Sequence, residues 1–187
     1  MLAELAAGRL LVATPTLLDP NFARTVALLL DVDETGALGV VLNRPSKMPV
    51  ESILPEWITM ITAPDVVFAG GPVSGDSALA VGFSPGSIGV ESGGFRPVFG
   101  NVGIVDLDAS VDTVAGSVVG VRVFAGYAGW GPGQLEGEID EGAWYVLPAT
   151  HADLFGDRPD RLWSEVLRRQ PGELSWVSTH PLDPSQN

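Results

Sequence analysis

A glycine–x–serine–x–glycine pattern is the spacing that presents a serine nucleophile on a sharp strand-to-helix turn. Gly82-Phe83-Ser84-Pro85-Gly86 has that spacing, and acidic residues and both histidines, His151 and His180, follow it in hydrolase order. The chemistry would be acyl transfer. It fails at one atom: the oxyanion hole needs the backbone N–H of the residue after the nucleophile, and Pro85 has none. Losing one such donor costs about 10²–10³ in rate. The stretch reads as a Gly/Pro turn.

Two acidic runs begin like calcium-binding loops. Asp31-Val32-Asp33-Glu34-Thr35-Gly36 starts correctly, but Leu42 stands where a bidentate glutamate is needed. Asp106, Asp108, Ser110 and Asp112 share the spacing, with Val111 in place of the glycine and Ser117 in place of the glutamate. They read instead as a hairpin turn and a helix cap. The single lysine, Lys47, follows Ser46 and not a glycine, so there is no phosphate-binding loop. Gly131-Pro132-Gly133 lacks the third glycine of a dinucleotide fingerprint. His151 and His180 lack the close histidine or carboxylate spacing of a zinc site, and His151 reads as a surface residue in a capping turn. No metal and no cofactor is expected.

The most distinctive stretch is Gly126-Tyr127-Ala128-Gly129-Trp130-Gly131-Pro132-Gly133-Gln134-Leu135-Glu136-Gly137-Glu138-Ile139. A strand ends at Tyr127, a glycine-rich turn follows, and a helix opens near Gln134. Backbone N–H groups at such a turn can meet an anion or a carbonyl. Gln134 and Glu138 stand four apart and share a helix face, with Leu135 and Ile139 on the neighbouring face. Two readings stay open: a polar pocket, or a tight turn with a capping glutamine. Asn43 and Arg44 end another strand. The expected binding surface therefore comprises Asn43, Arg44, Tyr127, Trp130, Gln134 and Glu138, with the Gly70-Gly71-Pro72 loop beside it. Arg44 is expected to pair with Glu138, or with an incoming carboxylate or phosphate.

The elements that must position these residues follow from composition and pattern. With 187 residues, the chain is the size of one domain with a full core. Glycine and proline total 23 + 15 = 38 residues, about 20% against an average near 12%, which favours short strands over a helical bundle. Ten basic against 23 acidic residues leave a net charge of −13. Affinity for nucleic acid comes mostly from Lys and Arg neutralising phosphates, so direct nucleic-acid binding is not expected, nor is binding to an anionic membrane. There is no cysteine, hence no disulfide, thiolate site or cysteine nucleophile. Met1 to Gly8 shows no signal-peptide pattern and no apolar run approaches a membrane span. A soluble cytoplasmic protein is expected.

Strands are predicted over Arg9–Thr14, Arg24–Leu30 (buried on both faces), Ala37–Asn43, Val66–Ala69, Ser77–Phe83, Asn101–Leu107, Val121–Tyr127 and Ala143–Leu147. Asp33-Glu34-Thr35-Gly36 joins the second and third in a hairpin, which Arg44-Pro45 ends. Short helices are predicted over Glu51–Ile61, from an Asp108 cap to Ala115, over Gln134–Glu141 and after a Thr150–Asp153 capping box. The best helix is Pro159–Arg169, with Leu162, Trp163, Val166 and Leu167 as one stripe and Arg168 and Arg169 at its C-terminus. Ser84 to Pro97 reads as a loop, and the tail from Ser178 is polar.

With these motifs in order, the chain resembles the YqgE/AlgH family of bacterial proteins. The resemblance rests on Gly8-Arg9-Leu10-Leu11-Val12-Ala13-Thr14-Pro15, Asp19-Pro20-Asn21-Phe22, Arg24-Thr25-Val26 and Gly36 to Pro45. It continues through Gly70-Gly71-Pro72, Gly126 to Ile139, Ala143-Trp144, a leucine–phenylalanine turn and a helix bearing Arg161 and Trp163. The family usually shows a Glu-His pair where the second strand ends; here Asp31-Val32 stands there. The resemblance implies a single α+β domain over residues 1–187, a bulged, coiled, mostly antiparallel sheet partly covered by helices. It implies no established activity, and one branch carries a transcriptional-regulator label. The leading expectation is a non-catalytic module binding a small molecule or protein. The alternatives are an enzyme using Glu138, Asp31 or His151 as acid or base, and a transcriptional regulator acting indirectly.

Overall fold

Strands of alternating small and branched apolar residues fill this molecule from two sides. The computed structural model describes residues 5–86 and 93–181; the middle of the expected 84–97 loop and the end of the polar tail lie outside them. Strand β1 (Arg9–Ala13) is flanked by β10 (Trp144–Pro148) and β2 (Val26–Asp33), both antiparallel. Because side chains alternate in a strand, Leu10, Val12, Val26, Leu28 and Leu30 enter one core and Leu11, Ala13, Ala27 and Leu29 a second. The expectation that the second strand is buried on both faces holds, although it starts at Val26 and runs on to Asp33.

Strand β3 (Gly36–Val41) closes the hairpin, with a register shift between Leu29 and Asp31. The sheet then runs through β9 (Gly120–Trp130) to β6 (Val73–Phe83), β8 (Val102–Val105) and β7 (Phe95–Phe99), ten strands in all with β4 (Pro45–Pro49) and β5 (Val66–Ala69) beside this path. The β5–β9 ladder is parallel; the other ladders are antiparallel. The result is one curled, half-barrel sheet with helices against it, an α+β domain as expected.

The curl has its joint at Gly126. Residues 120–125 of β9 pair with β6, which meets it again at Tyr127 after a register shift, and Phe68 and Ala69 of β5 lie on the other side, whereas 128–130 pair with β3. Gly126 sits between the halves at φ +72°, where a Cβ would lie 2.6 Å from the Gly71 carbonyl oxygen and 2.8 Å from that of Val73. An L side chain has no room and the wrong backbone region.

Several local expectations are corrected. Pro45 begins a new strand instead of only ending one, and Pro97 lies within β7, which the glycine and proline content had marked as loop. Both strands lie off the centre of the sheet, where a missing N–H is tolerated. The helix expected over Glu51–Ile61 is two 3₁₀ turns, Val50–Ser52 and Pro55–Met60. Helix α1 (Val111–Ala115) is capped by Ser110, not Asp108. Helices α2 (Gln134–Asp140) and α3 (His151–Phe155) form as read, and the Thr150 N–H donates to Asp153 at 2.8 Å.

The best-read helix is a 3₁₀ turn, Pro159–Arg161, running into α4 (Leu162–Arg168), with a short α5 (Leu174–Val177) after it. Its stripe of Leu162, Trp163, Val166 and Leu167 is buried against the β1–β2 core, and the Trp163 indole donates to the Ala13 carbonyl at 2.9 Å. Arg169 is the C-cap of α4, as its place in the sequence suggested, but its side chain turns to another element. It forms a two-pronged pair with the buried Asp153 carboxylate at 2.5 and 2.6 Å, which raises the arginine pKa through those hydrogen bonds. Among the described residues no helix is long and apolar enough to cross a membrane.

Candidate functional site

At the strand-to-helix turn after β9, five residues form one network. The Glu138 carboxylate accepts the Trp130 indole N–H at 3.0 Å and the Trp144 indole N–H at 2.8 Å through Oε2. Its Oε1 accepts the Gln134 amide at 2.9 Å, and the Gln134 carbonyl takes the Gly131 N–H at 3.0 Å. Helix periodicity puts Gln134 and Glu138 on one face, and the antiparallel β1 carries β10 to the same place. Both indoles are buried, so their N–H groups need an acceptor. Trp144 was absent from the expected site; its place in the family motif, Ala143-Trp144, was the available signal.

Asn43 and Arg44 do not reach Glu138, and the expected Arg44–Glu138 pair is not made. The Arg44 guanidinium donates to the carbonyls of Asn21 (2.8 Å), Pro20 (2.9 Å) and Ala23 (3.2 Å). Asn43 accepts the Val26 N–H and donates to the Arg24 carbonyl, both at 2.9 Å. The Asp19–Ala23 turn exposes a cluster of carbonyls at close range, and a guanidinium with five donors suits that better than one distant carboxylate. The two groups are nevertheless joined, through Phe22. Held by Arg44, that turn places the Phe22 ring 6.0 Å from Trp130, stacked, and 5.6 Å from Trp144, edge-on. The structure thus brings together Trp130, Gln134 and Glu138, and leaves Asn43 and Arg44 one layer away as supports.

Gly70 and Gly71 are backbone contacts. The Gly70 N–H donates to Ala125 and its carbonyl accepts from Val41, both at 2.8 Å. Gly71 lies so close to Tyr127 that a Cβ would be 2.2 Å from its carbonyl carbon. Tyr127 itself is half-buried against the main core.

A separate hollow lies elsewhere on the molecule. A groove of about 820 Å³ runs between the 3₁₀ turns and the β6–β8–β7 part of the sheet. Leu54, Leu79, Phe95, Ile104 and Leu107 supply its apolar wall, and Glu56, Arg96, Asp106 and Asp108 its charges. None of the expected site residues lines it. Its strands were partly legible, but β7 was not, and the hollow exists only because Asp106–Asp108 leave β6 behind.

The family model described as AlgH-like (DUF179) matches residues 10–175 of this chain. The chain belongs to the AlgH-like family. It is 57% identical over 182 residues to a UPF0301 protein of Streptomyces coelicolor, covering 96% of this chain and 94% of that one. The crystal structure of protein DIP2367 from Corynebacterium diphtheriae superposes with a TM-score of 0.88 at 35% identity, over 95% of this chain and 94% of that one. The solution structure of the AlgH protein from Pseudomonas aeruginosa superposes with a TM-score of 0.66 at 30% identity, over 93% of each chain.

Of the remaining chemical candidates in this AlgH-like fold, Ser84 and His151 have structural partners. Ser84 is buried and its hydroxyl donates to the Ser117 carbonyl at 2.8 Å. His151 lies with its ring 4.5 Å from Phe83 and 5.0 Å from Phe155. Asp31 is exposed beside Asp33, whose carboxyl is held below the usual range by the Thr35 hydroxyl and N–H. Among the described residues no group of three or more His, Asp or Glu could hold a metal ion. Arg122 is a residue that sequence reading missed. Its buried guanidinium donates to the carbonyls of Leu154 (2.6 Å), Ala63 (2.6 Å) and Gly156 (3.0 Å) and lies over the Phe68 ring. Burial pushes its pKa down to about 10.

Proposed function

We propose that this AlgH-like chain is a non-catalytic binding module of the cytosol that takes its ligand in the groove beside β6. The observation that carries this reading is the groove itself. Its volume of about 820 Å³ falls in the range of about 300–1,000 Å³ usual for ligand sites, and apolar and charged residues both line it. The enzymatic alternative needs an available base. Glu138 instead takes three N–H donors from Trp130, Trp144 and Gln134, and Asp31 stands exposed on a hairpin. A regulator acting through another protein would use the same groove. Contact with duplex DNA is disfavoured by 23 acidic against 10 basic residues.

The test is amide NMR of the labelled protein titrated with a fragment set. Shifts should cluster on Leu79, Phe95, Ile104 and Leu107, and Ile104→Trp, which fills the groove, should abolish them. Glu138→Gln should leave them in place. Shifts confined to the Trp130–Glu138 turn, or a turnover activity lost in Glu138→Gln, would refute the reading.

A further inference from the structure

We infer that the ligand of this groove is an extended, basic peptide segment of another protein, added as a strand to the open edge of β6. The inference rests on the groove being the binding site and deepens it by naming the partner.

The edge follows from pairing parity. The Ala125 carbonyl faces β5, because Gly70 donates to it. Backbone groups alternate in direction along a strand, so Phe124 faces β6, where it is opposite Leu79. Leu79, Val81 and Phe83 therefore turn their backbone groups toward β9, and Ala78, Ala80 and Gly82 turn theirs toward β8. Ser84 confirms the parity, since its N–H reaches the Asn101 carbonyl on the β8 side at 2.8 Å. The β6–β8 ladder runs from Phe83↔Val102 to Ala80↔Val105 and stops. The next residue of the departing chain, Asp106, donates to Gly94 on the β7 side instead. Among the described residues, Ala78 is thus left with an N–H and a carbonyl facing the groove beyond the end of the ladder. It is exposed, like every residue from Val73 to Ser77 before it.

Strand addition uses such an edge for main-chain hydrogen bonds and adjacent hollows for alternate side chains. Here the hollow lies directly beside Ala78 and Leu79, both of which line it. The charge is complementary to a basic partner. Glu56, Asp106 and Asp108 line the groove against Arg96 alone, and the exposed half of β6 adds Asp76. An apolar side chain would lie between Leu79 and Ile104, with a Lys or Arg beside it facing Asp106 and Asp108. The net charge of −13 speeds association with a basic chain and disfavours acidic ones.

A phage-displayed library of random octapeptides, selected on the intact protein, tests this. Selected peptides should carry an apolar residue next to Lys or Arg, shift the amides of Ala78, Leu79 and Ile104, and weaken with salt. Single N-methylation of a selected peptide should cost about tenfold in affinity at the residue that faces Ala78 and little at its neighbours, since one bonded amide contributes about that much. The double variant D106N/D108N should bind more weakly and lose most of the salt dependence; the asparagine at 106 keeps the acceptor that now takes the Asp108 N–H at 2.9 Å. Failure to select any peptide, an acidic consensus, an N-methyl scan without a sensitive position, or self-association of the protein through Ala78 would each overturn the inference. Fragment shifts in the groove without any selected peptide would overturn the peptide alone and leave the binding-module reading standing; silence from both would end both.

Discussion

Replacing Glu138 by alanine removes the acceptor for two buried indole N–H groups at once. Trp130 and Trp144 are each 4% exposed, and their donors lie 3.0 and 2.8 Å from the same carboxylate oxygen. An orphaned buried donor costs about 1–3 kcal/mol. Glu138 is itself half-buried, so water can reach part of the vacated space, and the lower half of that range applies to each indole. The expected loss is then about 2–4 kcal/mol for the pair. In a chain of this length that is a fall of about 4–16 °C in melting temperature. Glu138→Gln keeps one oxygen for both indoles, while its new NH₂ faces the Gln134 NH₂. Gln134 must turn over and release the exposed Gly131 N–H to water, at a cost of about 1 kcal/mol. The assay is urea unfolding followed by tryptophan emission and far-ultraviolet circular dichroism. Alanine should also shift native emission to the red, because Trp130 and Trp144 gain water. An alanine variant within about 0.5 kcal/mol of wild type, or a glutamine variant as unstable as the alanine one, would refute the hub described for Glu138, since both outcomes contradict the cost of an orphaned donor.

Trp163→Ala should cost about 3–5 kcal/mol, because the indole fills the β1–β2 core and donates to Ala13; thermal unfolding measures it. Arg44→Ala should destabilise by about 1–3 kcal/mol through release of three carbonyls of the 20–23 turn, and Trp130 emission should change as Phe22 moves. Arg122→Met leaves the carbonyls of Ala63, Leu154 and Gly156 without their donor, for a loss of about 3 kcal/mol or more. Its stability difference from wild type should be flat from pH 6 to 8, where folded and unfolded chains both hold the Arg122 proton. Above about pH 10 the wild type should gain on the variant, because the unfolded chain still binds a proton that the folded one has released; equilibrium unfolding at stepped pH reads this. A gel shift with duplex DNA at physiological salt should show no complex, given the −13 charge.

Local pattern carried much of this fold. The both-faces burial of β2, the hairpin around Gly36, the Thr150–Asp153 cap and the apolar stripe of α4 are written in neighbouring residues. Their physics, side-chain alternation, turn preference and helical spacing, acts over a few positions. The AlgH-like motifs were legible for the same reason. What lay outside local reach was the choice of long-range partner. Arg44 has five donors and no sequence rule for which oxygens it meets; the Asp19–Ala23 turn decided that by offering carbonyls at close range. Glu138 is bound by tryptophans eight residues before it and six after it, brought together because β10 pairs with β1 at one edge of the curl. β4 and β7 were hidden because proline reads as a breaker, and only their positions off the centre of the sheet make it tolerable. The groove had no residue of its own to announce it. It arises where β8 departs from β6 after Val105, and a gap between two strands is a property of their pairing, which no single stretch of sequence contains.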